Sequence, residues 1–388
     1  MRRAAIVGGG IGGLATAIAL RKIGFDAHVY EQSSDLKEAG SGMSLWPNAV
    51  KSLEQLDAKV LGRLADKTHS LRRLLIKEPQ GRLVKTLRLL DAGSTGIAVH
   101  RAELQSALAA CLPAGSIHLN HTFMRMENCA NSVVLHFDNG ASFSVDLAVG
   151  SDGIRSTVRR SMNLKGELTS RPYTVWRGMS RIRVKDQAEY LELRGDGDFS
   201  ETYGYGQRFG IMRLGNERVH WYAITNNSLF PRGLPDPSVL LAIFSAWHAP
   251  IPELIRNAES VIRTRVRDRW PLLPWAKGRI TIMGDAAHPI SPNFGQGACL
   301  AIEDAVVLAA CLKSTHDISR ALQAFEKSRY RRCLEIILTS GEVGRFAQIQ
   351  NRAFVYLRNQ FLKLAPSAVT TYWFRRSCEF HPPSLVAC

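Results

Sequence analysis

The chain has 388 residues, 45% of them hydrophobic and 22% charged, so it can bury a sizeable core, and wholesale disorder is excluded. A formal net charge of +16 favours anionic partners, such as phosphate-bearing cofactors, anionic substrates, anionic lipid or nucleic acid, although a solvated basic surface explains it equally well. No Lys/Arg run alternates with aromatic residues, so we expect no nucleic-acid partner.

The cysteines and the N-terminus indicate where the protein works. The seven cysteines are scattered and form no CxxC pair, which predicts neither a zinc site nor a disulfide framework and favours the cytoplasm. The apolar stretch 4–20 follows two arginines like a secretory signal, but five glycines interrupt it. No uninterrupted run of about 18 apolar residues occurs, so we expect no membrane-spanning helix.

The N-terminal part alternates strands and helices. Residues 4–7 and 27–30 predict buried strands on either side of a helix over 14–23, which makes a right-handed βαβ unit with parallel strands. The elements predicted next are a helix over 48–65, two strands within 71–90, a helix over 100–111 and a meander over 117–149.

Between about 175 and 270, short alternating runs separated by Gly and Asn turns predict an antiparallel sheet. A strand over 279–283, a helix over 298–312 and a basic helical tail follow. The predicted fold class is therefore α/β, a Rossmann-like parallel domain interrupted by a mostly antiparallel sheet domain and followed by C-terminal helices. The predicted domains are 1–70, 95–174 and 275–335 (parallel domain), 71–94 and 175–274 (sheet domain), and 336–388 (helical segment).

Glycines 8, 10 and 13 form a GxGxxG motif between the first strand and the first helix. Gly8 permits a tight turn, Gly10 lets the backbone approach a pyrophosphate, and Gly13 lets the helix pack against the strand. The helix N-terminus adds free N–H groups and partial positive charge. Glu31 ends the next strand, where a carboxylate can bind a ribose hydroxyl. This context predicts a dinucleotide site.

Two further glycine-bearing motifs each follow a predicted strand. They are SDGIRS at 151–156 and GDAAHP at 284–289, the second running into PNFGQG at 292–297. With the N-terminal glycines, they resemble the three fingerprints of the single-component FAD-dependent monooxygenases, the para-hydroxybenzoate hydroxylase-like family. Salicylate hydroxylases, tetracycline-modifying monooxygenases and zeaxanthin epoxidase belong to that family. The resemblance spans residues 4 to about 335, in the family's order and spacing.

The resemblance implies that the parallel domain binds FAD. Asp285 would accept a hydrogen bond from the ribityl chain of the flavin. Gly295 and Gly297 would present backbone N–H groups that stabilise negative charge on the reduced isoalloxazine. Pro292 and the Gly295 loop would shield the reactive centre from water.

Two other residues are assigned to the cofactor by the resemblance. Asp152 would support the loops around the pyrophosphate, with a simple turn aspartate as the alternative. Arg101, at the start of a helix, would reach the FAD, with an exposed helix arginine as the alternative. His288 would be structural.

The prediction of substrate-binding residues rests on strand periodicity. His220 and Tyr222 share one face of a predicted strand, and Trp221 lies on the other. Facing the flavin, they could hydrogen-bond or deprotonate a phenol-like substrate; a polar outer face of the sheet is an equal alternative. Arg177 either lines the pocket or forms an ion pair. Residues 40–45 lack the arginine that several aromatic hydroxylases carry there, which favours a bulkier or less anionic substrate.

The implied activity is that of a monooxygenase. NADH or NADPH would reduce FAD as a transient co-substrate, O₂ would form a flavin C4a-hydroperoxide, and one oxygen would pass to a small aromatic or conjugated substrate by hydroxylation or epoxidation. A reductase or halogenase-like flavoprotein of the same fold is the alternative, although the halogenase signature WxWxIP is absent. An NAD-dependent dehydrogenase would leave residues 284–297 without a role. No metal site is predicted.

The C-terminal tail is basic and aromatic. Residues 320–376 contain eleven Lys/Arg and three Glu, interleaved with seven aromatic residues between 346 and 374. Weak peripheral contact with anionic lipid is one hypothesis. The favoured alternative is a helical cap whose aromatic residues pack on the core.

Overall fold

The computed structural model describes residues 1–36, 40–90, 94, 96–182, 190, 193, 197–215, 217–229 and 237–385. Within these residues, no helix combines the length and the apolar character needed to cross a membrane.

Nineteen strands are assigned in the described residues. In chain order they are β1 Arg3–Val7, β2 Asp26–Tyr30, β3 Gly42–Leu45, β4 His69–Leu71, β5 Arg73–Lys77, β6 Leu83–Arg88, β7 Gly96–His100, β8 Ile117–His118, β9 Phe123–Asn128, β10 Val133–Phe137, β11 Ser142–Val145, β12 Leu147–Gly150, β13 Thr169–Arg181, β14 Asp198–Tyr203, β15 Gln207–Arg213, β16 Arg218–Asn226, β17 Ala258–Asp268, β18 Ala276–Lys277 and β19 Ile280–Ile282.

The helices in the same residues are α1 Ile11–Lys22, α2 Pro47–Leu56, α3 Ala58–Gly62, α4 Arg101–Ala109, α5 Thr157–Ser161, α6 Pro237–Phe244, α7 Ile251–Arg256, α8 Gly297–Ser314, α9 Ile318–Ala347, α10 Arg352–Leu364 and α11 Ser367–Cys378.

The first sheet has the order β18-β19-β12-β1-β2-β8 and is parallel except for the short β18. Strands β1, β12 and β19 are almost entirely buried, as expected for parallel strands covered on both faces. Helix α1 follows β1 directly and packs against α8. The predicted βαβ unit is confirmed, and the carboxyl ends of β1, β12 and β19 lie side by side.

The predicted meander over 117–149 is only partly right. Strands β9, β10 and β11 form a separate antiparallel sheet, but β8 and β12 pair in parallel with β2 and β1. The apolar sequence of β12, LAVG, suits a strand buried on both faces rather than the end of a meander.

A seven-stranded sheet has the order β17-β13-β16-β15-β14-β5-β6. It takes β5 and β6 from the early part of the chain and the other strands from the later part, and its pairs are antiparallel except β14 with β5. The predicted α/β class with an inserted antiparallel sheet is confirmed. Strand β13 begins before residue 175, and the domain division itself stays a prediction.

The C-terminal helices pack on the edge of this sheet. Both α10 and α11 contact β6, and α11 also contacts α2. The favoured packing of the tail aromatics on the core holds for Phe346 and Phe374, which are partly buried against it. It is wrong for five others, which are exposed: Phe354, Tyr356, Phe361, Tyr372 and Trp373.

Candidate functional site

The glycine turn between β1 and α1 is built as the motif predicts. Gly8 has φ +107°, and a Cβ at Gly13 would lie 1.9 Å from the carbonyl oxygen of Gly8, so helix and strand touch through their backbones. A Cβ at Gly10, in contrast, would meet no protein atom within 4 Å. No side chain caps the first turn of α1. Open space therefore lies in front of a helix N-terminus, which is where a phosphate binds.

Glu31 follows β2 and lies beside the same turn. Its Oε2 accepts a hydrogen bond from the backbone N–H of Gly9 at 2.6 Å, and its Oε1 accepts one from Ser33 at 3.0 Å. The amide of Gln105 donates to the carbonyl oxygen of Gly9 at 2.9 Å, which holds the turn from the other side. The carboxylate is thus placed at the rim of the glycine turn.

Asp152 supports the loop after β12. Its Oδ2 accepts hydrogen bonds from the backbone N–H groups of Thr157 at 2.7 Å and Val158 at 3.0 Å, which fixes the start of α5. Burial raises the pKa of Asp152, and the hydrogen bond from Ser156 offsets only part of this. These contacts are consistent with the supporting role that the resemblance implies. The Oδ1 atom is buried and has no hydrogen-bond partner among the described residues.

Asp285 lies in the 3-10 turn Gly284–Ala286 that follows β19. The residue is exposed, yet surrounding protein atoms withdraw its carboxyl group from bulk water and raise its pKa, while the charges of His288 and Arg101 act in the opposite direction. Asp285 and Arg101 therefore lie within electrostatic reach of each other, although they are 184 positions apart in the chain.

A buried ion pair anchors this turn. The Oδ2 atom of Asp304, in α8, accepts hydrogen bonds from the N–H of Gly284 at 2.9 Å and from Nε2 of His288 at 2.6 Å, and Oδ1 accepts one from Nε of Arg329 at 2.6 Å. Burial would raise the pKa of Asp304, but His288 and Arg329 hold it below its ordinary value. His288 and Asp304 also form, with Cys333, a group of possible metal ligands in the described residues. These contacts give His288 a structural position.

Gly295 brings a third loop to the same place. It follows the 3-10 turn Pro292–Phe294 with φ +62°, and a Cβ there would lie 2.5 Å from Oγ of Ser44 and 3.0 Å from Nε1 of Trp46. At Gly297 a Cβ would have its nearest contact at 3.4 Å, so protein packing does not require glycine there. Helix α8 begins at Gly297 without a side-chain cap, which leaves its first N–H groups for a ligand.

Arg101 begins α4, and its backbone N–H donates to the carbonyl oxygen of Ser41 at 3.1 Å. Arg177, in β13, has a pKa lowered by burial and by the charge of Arg101. The Nη1 atom of Arg177 donates to Oγ1 of Thr264 at 3.4 Å. Two positive charges thus lie near each other beside the loops of the three glycine-bearing motifs, residues 8–13, 151–156 and 284–297, which we call the cofactor loops. This arrangement favours a negative ligand.

The sheet turns His220 toward β3, the strand whose Ser44 lies beside Gly295. A Cβ at Gly42, in β3, would lie 2.3 Å from Cβ of His220, and only 2% of His220 is exposed. The polar-outer-face alternative is therefore wrong. Trp221 points to the opposite side, where it stacks on Phe209, so the predicted alternation is confirmed.

Nδ1 of His220 lies 3.1 Å from the carbonyl oxygen of Gly178. A carbonyl only accepts, so we place the proton on Nδ1, which leaves Nε2 as an acceptor. Burial first, and the charge of Arg177 second, lower the pKa of His220 to about 3. The ring is neutral near pH 7 and suits hydrogen bonding better than proton abstraction.

Tyr222 has a carboxylate partner that sequence reasoning missed. Its hydroxyl donates to Oε1 of Glu201, and the hydroxyl of Tyr203 donates to Oε2 of the same carboxylate at 2.8 Å. Nη1 of Arg208 lies 3.6 Å from Oε1. Burial, with the charge of Glu201, raises the pKa of Tyr222 well above its ordinary value. Each residue of β14 is buried, so no alternation along that strand could have marked Glu201.

Arg208 connects this cluster to the loop of the PNFGQG motif. Its Nη2 donates to Oδ1 of Asn293 at 2.8 Å, and Nδ2 of Asn293 donates to the hydroxyl of Tyr173 at 2.9 Å and to the carbonyl oxygen of Ser340 at 3.1 Å. Asn293 lies within the PNFGQG motif, beside Pro292. The sheet, this loop and α9 are therefore joined by one hydrogen-bonded chain.

These features fit FAD. The open space at Gly10 and the uncapped helix suit the pyrophosphate, Glu31 suits the ribose, and the unpaired Oδ1 of Asp152 can accept a further donor. The uncapped start of α8 at Gly297 suits the anionic edge of a reduced flavin. The individual residue roles stay predictions.

Comparison with known proteins gives the same cofactor. A family model described as an FAD binding domain matches residues 2–332. The chain is 32% identical over 384 residues to an aurachin C monooxygenase/isomerase of Stigmatella aurantiaca, covering 97% of this chain and 98% of the relative. It is 30% identical over 375 residues to a 2-heptyl-3-hydroxy-4(1H)-quinolone synthase of Pseudomonas aeruginosa, covering 94% of each.

A solved structure agrees over almost the whole fold. The crystal structure of Klebsiella pneumoniae HpxO complexed with FAD and uric acid superposes with a TM-score of 0.87 at 27% identity, covering 97% of this chain and 96% of that one. The family and the cofactor expected from the three motifs are confirmed. The chain belongs to the FAD-binding monooxygenase family, and it is an FAD-dependent monooxygenase.

Proposed function

We propose that this enzyme uses NADH or NADPH and O₂ to hydroxylate a conjugated N-heteroaromatic substrate that carries an ionisable N–H or O–H group. The observation that carries the proposal is the hydrogen bond between the partly buried Tyr222 and the buried Glu201, on the sheet face where His220 meets β3. When bound, FAD supplies the redox chemistry, taking a hydride from the nicotinamide and activating O₂. The protein must position the substrate, remove its proton and exclude water.

Tyr222 and Glu201 supply the proton transfer. As the substrate N–H or O–H bond breaks, its proton passes to the oxygen of Tyr222, and the proton that Tyr222 already shares with Glu201 passes to Oε1 of the carboxylate. The substrate thereby becomes an anion whose ring carbon is a better nucleophile. The positive charge of Arg208 lies beside this carboxylate, with its Nη1 atom 3.6 Å from Oε1 of Glu201.

The other residues of this face bind and orient. Nε2 of His220 can accept a hydrogen bond from a second substrate N–H, since Nδ1 is already bonded to Gly178. Arg177 and Arg101 contribute positive charge beside the cofactor loops, which stabilises an anionic substrate or cofactor phosphate.

The names of the relatives support this substrate class. By their names, one relative acts on aurachin C, one hydroxylates urate and one makes a 3-hydroxy-4-quinolone. Both urate and 4-quinolones are conjugated rings with N–H groups. A substrate that is less anionic than a benzoate is also consistent with residues 40–45, which lack an arginine. An ionisable ring favours hydroxylation over epoxidation, because deprotonation activates carbon for electrophilic attack.

The test is a screen of uric acid, 2-heptyl-4-quinolone and 4-hydroxybenzoate with the FAD-loaded enzyme. We expect one of the two N-heteroaromatic compounds to accelerate consumption of NAD(P)H and O₂ and to gain one oxygen atom from isotopically labelled O₂. Tyr222→Phe should bind FAD normally and lose most of this turnover. Substrate-dependent NAD(P)H oxidation without incorporation of oxygen would instead favour the reductase alternative.

A further inference from the structure

The two C-terminal helices expose a group of large apolar side chains. Its members are 49–81% exposed, and we call them the C-terminal aromatic surface: Phe354, Leu357, Phe361, Leu364, Tyr372 and Trp373. Large hydrophobic side chains are usually exposed singly rather than in a group. This surface therefore requires an explanation other than ordinary surface composition.

Helix α10 presents its apolar stripe to solvent. The four members of the surface in α10 follow one another at spacings of three, four and three residues, so they form one stripe. The protein side of α10 holds Val355, Arg358 and Leu362, all buried. Arg358 is fixed there, because its Nη1 donates to the carbonyl oxygen of Ala347 at 3.1 Å and its guanidinium lies 5.2 Å from the ring centroid of Tyr203. The core thus fixes this orientation of the helix, with its apolar stripe outward.

The surface lies in a segment with charge of one sign. Residues 352–378 contain five Lys/Arg and no Asp or Glu. Arg352, Lys363 and Arg376 remain at least partly exposed among the apolar members. Acidic residues from outside the segment contact it at Arg376, 3.7 Å from Glu335, and at Asn359, whose Nδ2 donates to Oε1 of Glu78 at 3.1 Å. Aromatic residues with basic neighbours are typical of surfaces that insert shallowly into anionic lipid. A second copy of the chain would bring the same positive charges against each other.

Phe374 connects the C-terminal aromatic surface to the residues around Gly295. Phe374 follows Trp373 on the inner side of α11 and meets the Trp46 ring edge-on, with 4.6 Å between centroids, and its centroid is 5.6 Å from that of Phe294. Trp46 is the residue that approaches Gly295. A ligand held at the outer face of α11 would therefore lie close to the wall of the candidate site.

We propose that the C-terminal aromatic surface docks the enzyme on an anionic lipid bilayer. The aromatic and leucine side chains enter the headgroup region, and the basic residues contact the lipid phosphates. Docking places the candidate site near the pool of a lipophilic substrate, a consequence that rests on the proposed function, whereas docking itself does not.

The experiment is flotation of the FAD-loaded full chain with vesicles of phosphatidylcholine mixed with phosphatidylglycerol, and with vesicles of phosphatidylcholine alone. We expect binding to the anionic vesicles that falls at least about tenfold in pure phosphatidylcholine or at high salt. The double variant Phe361→Ser/Trp373→Ser should also bind at least about tenfold less, since each side chain contributes buried apolar area. The matched control is Met124→Ser/Trp270→Ser, two exposed side chains outside the C-terminal helices, with Trp270 beyond β17 at the other sheet edge.

Both variants should keep the flavin spectrum and the melting temperature, because the substituted side chains are exposed. Equal binding by wild type, surface variant and control, or no binding at low salt, would overturn the proposal. Light scattering without vesicles tests whether the surface instead binds a second copy of the chain. A dimer that dissociates in the surface variant, with no vesicle binding by the wild type, would assign the surface to a second copy of the chain. None of these measurements depends on turnover, so their failure leaves the proposed function standing.

Discussion

Tyr222 reaches Glu201 across an intervening strand, because Gly210 of β15 pairs with both residues. Glu201 is opposite Gly210 in the pairing of β14 with β15, and Gly210 is opposite Tyr222 in the pairing of β15 with β16. A Cβ at Gly210 would lie 2.1 Å from Cζ of Tyr222 and 2.5 Å from its hydroxyl oxygen. The missing side chain at Gly210 therefore creates the space in which the tyrosine and the carboxylate meet.

Gly210→Ala should displace the ring of Tyr222 without touching the cofactor site. We expect normal FAD binding and a fall in kcat/KM of at least about tenfold, since a misplaced catalytic group loses much of its advantage. Steady-state oxygen uptake and the flavin spectrum measure the two effects. Unchanged kcat/KM in Gly210→Ala would show that the position of Tyr222 does not matter for turnover.

Tyr222→Phe and Tyr203→Phe form a matched pair, because both hydroxyls donate to the carboxylate of Glu201. If Tyr222 transfers the substrate proton, Tyr222→Phe should lower kcat/KM by about 10²–10⁴-fold, the usual contribution of a general acid or base. Tyr203→Phe should mainly lower the free energy of unfolding, by about 1 kcal/mol. Equal losses of kcat/KM in both variants would indicate that the cluster acts only through packing.

Gly10→Val and Gly13→Ala separate cofactor binding from folding. A side chain at Gly10 enters open space, so Gly10→Val should keep its apo-protein melting temperature and lose FAD binding. A Cβ at Gly13 would clash with Gly8, so Gly13→Ala should lower stability itself, by about 1–3 kcal/mol. Calorimetry and flavin-fluorescence titration distinguish them. Full FAD occupancy in Gly10→Val would exclude the assigned pyrophosphate site.

Glu31→Ala should weaken FAD binding by about 1–3 kcal/mol, the cost of losing a hydrogen bond to a charged group. The variant also removes the contact between Glu31 and Gly9, so part of the loss reflects the turn itself. Fluorescence titration of the apo-protein with FAD gives the dissociation constant. Affinity equal to that of the wild type would remove Glu31 from the site.

His220 predicts a specific pH dependence of stability. Its pKa in the folded protein is about 3, below the value near 6.5 of an unfolded chain, so the unfolded state binds the proton first as the pH falls. The contribution of His220 is therefore present above pH ~6.5 and is lost toward pH ~3, by up to about 1.4 kcal/mol per pH unit. Urea unfolding of wild type and His220→Asn between pH 7 and pH 5 measures this slope. Parallel slopes in the two proteins would contradict the assignment.

Flavin reduction should depend on substrate. The family resemblance assigns the glycine turn after β1, with Glu31 and Asp285, to FAD, and the sequence has no second strand–GxGxxG–helix unit for NAD(P)H. The nicotinamide and the substrate must then share the region between the cofactor loops and the sheet, so access has to be gated. We expect flavin bleaching by NAD(P)H at least about tenfold faster with substrate, equivalent to about 1.4 kcal/mol of barrier. Stopped-flow absorbance, with and without a substrate found by screening, measures it; identical rates would reject gating.

The cofactor domain could be predicted from the sequence because the motifs that specify it are local. Each of the three motifs is a continuous strand–turn segment, and the conformation and hydrogen bonding of such a segment depend mostly on its own residues, as at Gly8 and Gly295. Parallel pairing then places their ends together, because the carboxyl ends of neighbouring strands meet at one edge. The family, the fold class and FAD could therefore be predicted before any contact was known.

Only the tertiary structure shows which side chains meet on the substrate side of the sheet and which face of α10 is exposed. Glu201 meets Tyr222 only because two register choices place Gly210 between them, and a fully buried strand has no alternating pattern that shows which side chains meet. In α10, the period of the apolar residues predicts a stripe but not the direction in which it faces. That direction was decided by the buried contacts of Arg358 with Ala347 and Tyr203, which hold the apolar stripe in solvent.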